Sequence, residues 1–303
     1  MKSVAAESSP AGVAKAGART RAVSDFAELV KARLTMLVLL TTAVGYYLAP
    51  RGTFRPAALF HVVFGTAMAA AGAAALNQWW ERRLDALMDR TRERPIPGGR
   101  MSARDALMLG GLLSAGGVAY LAIACNFLSA ALAAITIVLY IFAYTPLKRI
   151  STANTLVGAI PGAIPPLIGW AGARAELDAG AWTLFAILFF WQMPHFFALA
   201  WTYRADYARA GFRMVSNDDD SGARSASQSV LFCMLLLIIS GTPTYVGLTN
   251  ALYLPCCLIL GGIFIAIAMR FHRQPRPKEA RALFVASIIY LPLLLASLVL
   301  TKR

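Results

Sequence analysis

Three polar residues, Asn77, Glu81 and Asp85, close an apolar run at intervals of four in the stretch NQWWERRLD. Steps of four drift by only about 40° each on a helix, so the three share one face, about 6 Å apart along the axis. A row of amide and carboxylate oxygens at that spacing suits a hard divalent cation. Mg²⁺ in particular binds one or two carboxylates and fills its remaining positions with water and phosphate oxygens. Arg90 and Arg94 follow within reach of the same helix end, and a guanidinium fork can hold phosphate oxygens. The bland alternative is a solvated helix end where Glu81 and Asp85 pair with neighbouring arginines. Asn77 weighs against it, because an amide at the edge of an apolar span needs a partner.

A second group, Tyr203, Arg204 and Asp206, ends another apolar run that also carries Gln192 and His195. His195 precedes Asp206 by eleven residues, about 16 Å deeper along a helix. An ionisable side chain inside a span marks function by default, with a helix–helix hydrogen bond as the competing reading. Tyr144, Lys148 and Arg149 close a third run in AYTPLKR, either as cations for an anionic ligand or as interfacial anchors. His61 and His272 read as structural. The four cysteines, Cys125, Cys233, Cys256 and Cys257, form no C-x-x-C pair and suggest neither zinc nor a disulfide framework.

Apolar helices must position these groups. Only 15% of the 303 residues are charged while 58% are hydrophobic, against about a quarter charged in soluble domains. Long uncharged runs predict an all-α integral membrane protein with nine transmembrane helices, at 29–49, 57–79, 105–124, 127–145, 153–172, 181–203, 229–248, 252–269 and 282–300. Threading the chain back and forth puts 24 of the 29 basic residues on one side, which makes that side cytoplasmic, with the N-terminus inside and the C-terminus outside. The same asymmetry explains most of the +14 net charge, so no nucleic-acid partner is needed. Residues 1–25 lack an apolar core and read as a disordered cytoplasmic tail rather than a secretory signal; their basic composition also fits a transit peptide. Residues 26–303 then form a single membrane domain. Positive-inside bias does not explain acids, yet nine of the 15 acidic residues fall in the two cytoplasmic loops after spans two and six.

The segments NQWWERRLDALMDRTRERPIPGGR, AYTPLKR, GAIPGAIPPLIGW, FFWQMPHFFALAW and YRADYARAG resemble the UbiA superfamily of intramembrane prenyltransferases, and within it the branch that farnesylates haem b. The resemblance covers the chain from about residue 26 onward. Gln78 stands where the superfamily usually has an acid, and Asp206 is the only clear acid of the second motif; both departures fit that branch. After Gly211 the branch reads close to PMLP, whereas this chain reads FRMVSNDDDSGAR. Asp218, Asp219 and Asp220 there read as solvated loop, with metal assistance as the alternative.

The resemblance implies farnesyl diphosphate and haem b as substrates, Mg²⁺ as cofactor and the bilayer as environment. It implies Asn77, Glu81, Asp85 and Asp206 as metal ligands. Arg90, Arg94, Lys148, Arg149, Arg204 and Tyr203 would hold the diphosphate, and His195 would contact haem. The expected location is a bacterial inner membrane with the site facing the cytoplasm, and haem A synthase is a partner to test. Two other readings stay open: a related prenyltransferase with an aromatic or quinone-precursor acceptor, and a transport or haem-handling protein without chemistry. The absence of midplane carboxylates disfavours transport.

Overall fold

The computed structural model describes residues 21–49 and 53–303. Residues 1–20 of the expected tail therefore lie outside the described residues, while 21–29 are already helical. The long helices are α1 (Ala32–Leu48), α2 (Pro56–Asp85), α3 (Ala103–Ala124), α4 (Phe127–Leu147), α5 (Asn154–Arg174), α6 (Ala179–Thr202), α7 (Ala223–Tyr245), α8 (Tyr253–Arg273) and α9 (Pro277–Leu300). Eight are long and apolar enough to cross a membrane; α1, with 17 residues, is the shorter apolar one. Among the described residues there is no strand, and one isolated bridge pairs Thr249 with Lys302.

Helix limits differ from the hydropathy reading where polar turns continue a helix beyond its apolar part. The second span runs on to Asp85, so the whole acid row is helical. Helix α7 starts at Ala223 rather than 229, and α9 at Pro277 rather than 282. Asn126, at the short third junction, caps α4 by accepting from Ser129 N–H at 2.9 Å. The prolines of α5 divide it at Ile164, because Pro165 and Pro166 cannot donate to the preceding turn.

Helix α4 carries a π-type segment, Leu139–Tyr144, in which Thr145 N–H reaches back five residues to the Tyr140 carbonyl. Pro146 follows at once; it lacks an N–H and would crowd an ordinary α turn, which the wider loop relieves. The helices contact in sequence order around the bundle, with α6 against α5, α7 and α9, and α1 against the second half of α5. That last contact is backbone on backbone. A methyl group at Gly169 would sit 1.9 Å from the Thr42 carbonyl oxygen, and one at Gly45 would sit 2.2 Å from that of Pro166. The apolar core runs through these contacts, with Trp170, Leu167, Ile168, Leu184 and Ile187 fully enclosed.

Candidate active site

The last turns of α2 bury Asn77, Gln78, Glu81 and Asp85 together. Each member of the expected row holds a partner. Lys148 Nζ donates to both Glu81 oxygens at 2.8 and 3.1 Å, and Arg94 Nη1 donates to Asp85 Oδ2 at 2.7 Å. Asn77 Nδ2 donates to Thr145 Oγ1 at 3.0 Å, while its Oδ1 accepts from Lys31 Nζ at 2.7 Å. Spacing along one helix thus fixes the acids, and three separate segments bring the cations. The Thr91 hydroxyl donates to the Asp85 carbonyl at 2.8 Å, folding the loop after α2 back so that Arg94 returns to the helix it left.

The π segment of α4 sets the opposite wall. Tyr140 and Tyr144 stack with ring centres 5.6 Å apart, and Lys148 Nζ lies 4.5 Å from the Tyr144 ring centre. On its other side the Phe212 ring centre lies 5.5 Å away. Burial alone would lower the Lys148 ammonium; the Glu81 carboxylate outweighs it and holds the lysine well above its ordinary range. Both members of this pair are nearly enclosed, and removing one partner of such a pair costs about 3–5 kcal/mol because the other charge is stranded.

The second acidic group reaches the same rim by another route. After α6 a short helix, Arg204–Arg209, carries Asp206, whose partner is Arg209. Arg209 also pairs with Asp89 in the loop after α2. Asp206 is therefore tied to the continuation of α2, with no ion pair to Lys31, Arg94 or Lys148. Beneath it Leu84, Met88, Tyr207, Phe212 and Met214 pack as one apolar patch that joins the two loops. Arg90 lies over the Tyr203 ring at 5.3 Å and Arg204 over the Trp201 ring at 4.4 Å. Neither has a carboxylate within ion-pair distance among the described residues. Arg149 is exposed and has no ion pair to the row.

His195 stands apart. Its Nδ1 is 2.8 Å from Ser287 Oγ on α9, and its ring lies against Trp191 and Phe284. Ser287 Oγ donates to the Phe284 carbonyl at 2.5 Å, so the imidazole must donate from Nδ1. That tautomer leaves Nε2 with its lone pair. Gln192 donates to the Ala159 and Leu188 carbonyls and ties α6 to α5. His61 bonds Tyr120, and His272 bonds Ser227. Of the three loop aspartates, Asp218 and Asp220 are exposed, but Asp219 is buried. It accepts from Ser225 N–H at 2.8 Å and caps α7. Burial would raise its carboxyl, and the backbone N–H groups of Ser225, Arg224 and Gly222 outweigh that and hold it below its ordinary value.

Lys31 was not singled out by spacing, yet it reaches the first member of the row, Asn77. The signal was present: it lies inside the expected span 29–49, and an ionisable residue in a span marks function. Its backbone is left-handed, φ 49° and ψ 52°, a conformation that costs a non-glycine residue about 1–2 kcal/mol. Thr145 and Tyr140 gave no such signal, because only the π segment turns them inward.

Among the described residues no three His, Cys, Asp or Glu side chains converge as a ready-made metal cage. The cluster instead sets three cations, Lys31, Arg94 and Lys148, against two carboxylates, Glu81 and Asp85, an excess of one positive charge. Such a donor set would fit Mg²⁺ arriving with a diphosphate: two carboxylates and an amide oxygen could come from the protein and the rest from the phosphates, with the cations free to pair with phosphate oxygens.

A helical membrane bundle with acids and cations concentrated at one rim defines the class. Residues 38–296 match the UbiA prenyltransferase family, and the chain belongs to that family. It is 42% identical to the protoheme IX farnesyltransferase of Solibacter usitatus, over 92% of this chain and 98% of that one. It is 45% identical to the Opitutus terrae protein of the same name, over 92% and 95%. The human mitochondrial protoheme IX farnesyltransferase is 39% identical over 91% of this chain and 62% of its own length. Among solved structures, a digeranylgeranylglyceryl phosphate synthase superposes with a TM-score of 0.77 at 14% identity, covering 92% of this chain and 98% of that one. A UbiA homologue from Archaeoglobus fulgidus bound to GPP and Mg²⁺ gives 0.64 at 14% identity, over 90% and 99%. These two establish the shared fold.

Proposed function

We propose that this chain transfers the farnesyl group of farnesyl diphosphate to a vinyl group of haem b, forming haem o and releasing diphosphate. The observation that carries the donor half is the buried row of Asn77, Glu81 and Asp85 with Lys31, Arg94 and Lys148 set against it. The acceptor half rests on the likeness to protoheme IX farnesyltransferases over more than nine-tenths of the chain.

In this reading Asn77, Glu81, Asp85 and Asp206 would hold Mg²⁺, which would supply charge neutralisation at the phosphate oxygens. Lys148, Arg94 and Lys31, joined by Arg90, Arg204 and Tyr203 at the mouth, take up negative charge as the C1–O bond of the farnesyl donor breaks. Arg149 would act only at the outer edge. The terminal vinyl carbon of haem attacks the allylic cation, and one water molecule adds to the carbocation left beside the porphyrin ring and releases a proton, giving the hydroxyethylfarnesyl group. Enclosure of the cation until that attack prevents loss to solvent. His195 presents an unprotonated Nε2 suited to the haem iron. All nine long helices span, α1 with the help of residues before it, and the rim faces the cytoplasm of a bacterial inner membrane. Haem A synthase, as the consumer of haem o, is the partner this reading names.

The test is incubation of purified protein with haem b, farnesyl diphosphate and Mg²⁺, followed by mass analysis of the haem. Haem carrying a hydroxyethylfarnesyl group is the expected product. Unmodified haem, while an aromatic acceptor supplied in a parallel incubation is prenylated, would overturn the acceptor assignment.

A further inference from the structure

We infer that Gln78 is a positioning residue for the diphosphate site, acting through the backbone turn that delivers Lys31. This rests on the donor half of the reading above.

Gln78 is fully enclosed. Its Nε2 donates to the Glu28 and Leu29 carbonyls at 2.8 and 2.9 Å. Both carbonyls belong to the end of the 21–29 helix, where main-chain acceptors outrun intrahelical donors. Gln78 Oε1 has no partner, so the amide is oriented by its two donations, and the opposite orientation would set three oxygens together. Arg100 pins the same segment from outside through Asp25 and Glu28 at 2.7 and 3.0 Å. The Leu29 side chain packs with Ala75, Ile96 and Ala106 beneath it.

Two residues later the chain takes its left-handed step at Lys31 and enters α1. That step carries the ammonium to Asn77 Oδ1 at 2.7 Å and to Tyr140 Oη at 3.3 Å. Neighbouring residues of α2 thus hold the two ends of one device: Gln78 grips the backbone before the turn, and Asn77 receives the side chain beyond it. A strained turn persists only where its surroundings over-determine it. A carboxylate at 78 offers no hydrogen to either carbonyl, and an apolar side chain leaves the buried Leu29 carbonyl without the Gln78 donor and the Glu28 carbonyl with Lys31 N–H alone. In either case the turn relaxes and Lys31 is misplaced, while Glu81, Asp85 and Lys148 keep their own contacts.

The experiment is a double-mutant cycle between Gln78→Met and Lys31→Ala, read by titration of the purified full-length protein with inorganic pyrophosphate and Mg²⁺ and by steady-state kinetics. Each single variant should weaken pyrophosphate binding and raise KM for farnesyl diphosphate about tenfold, with KM for haem b within twofold. The double variant should lose no more than the worse single one, because Gln78 acts through Lys31. Additive losses, or a Gln78→Met protein that binds pyrophosphate like wild type, would overturn the inference. If Gln78→Met cannot be purified folded, Gln78→Glu is read in the same cycle. A wild-type protein that binds pyrophosphate but never prenylates haem b refutes the proposed acceptor and leaves the cycle readable.

Discussion

Replacing Lys148 with methionine keeps most of the unbranched side chain and removes its charge. Two losses follow from the geometry. The Glu81 carboxylate, whose two oxygens both take hydrogen bonds from Lys148, becomes a buried charge without a counterion. Breaking such a pair costs about 3–5 kcal/mol, an upper figure here because the carboxylate can take up a proton. The second loss is catalytic. A cation about 4 Å from a developing phosphate charge, at an effective dielectric of about 20, contributes about 4 kcal/mol, or about three powers of ten in rate. Sharing with Arg94 and Lys31 reduces that to about a hundredfold or more. The assay pairs farnesyl transfer to haem b with thermal unfolding in detergent. Lys148→Met should lower both. Adding Glu81→Gln removes the stranded carboxylate and should restore most of the stability while turnover stays low. The reasoning fails if Lys148→Met turns over within tenfold of wild type, or if the double variant regains activity with its stability.

Four further outcomes are expected. Asp85→Ala and Asp206→Ala should each reduce product below detection while the protein still inserts, measured by mass analysis beside membrane-fraction yield. Gly169→Ala should destabilise the α1–α5 contact by about 1–3 kcal/mol, seen as a lower unfolding temperature, because the added methyl meets the Thr42 backbone rather than a side chain that could move. Asp219→Ala should remove the cap of α7 at a cost of about 1 kcal/mol. Since the folded-state carboxyl titrates below its ordinary value, that stability is present at neutral pH and fades as pH falls below about 4. The gap between Asp219→Ala and wild type should therefore narrow in acid; a constant gap would refute the cap. His195→Ala should weaken haem b binding measured by absorbance titration, and normal binding with normal turnover would end its assignment to haem.

What the sequence determined by itself was periodic or compositional. Asn77, Glu81 and Asp85 share a face because the helical repeat is a local property, and the apolar runs separate because hydrocarbon forces each span to satisfy its own backbone. Asp206 and Lys148 were found because each closes an apolar run. The partners of these residues were not legible. Glu81 chose Lys148, 67 residues away, and Asn77 chose Lys31, 46 residues away; nothing in local spacing sets such pairings. The π segment is a compromise between Pro146 and the packing of α4, so the inward turn of Tyr140 and Tyr144 needed the tertiary fold. Asp219 looked like its exposed neighbours Asp218 and Asp220 until α7 was seen to begin six residues earlier than its apolar run. Gln78 appeared to be only a missing acid. The folded chain gives it two carbonyls to hold, because the segment before α1 returns to α2 and presents the last carbonyls of its helix there.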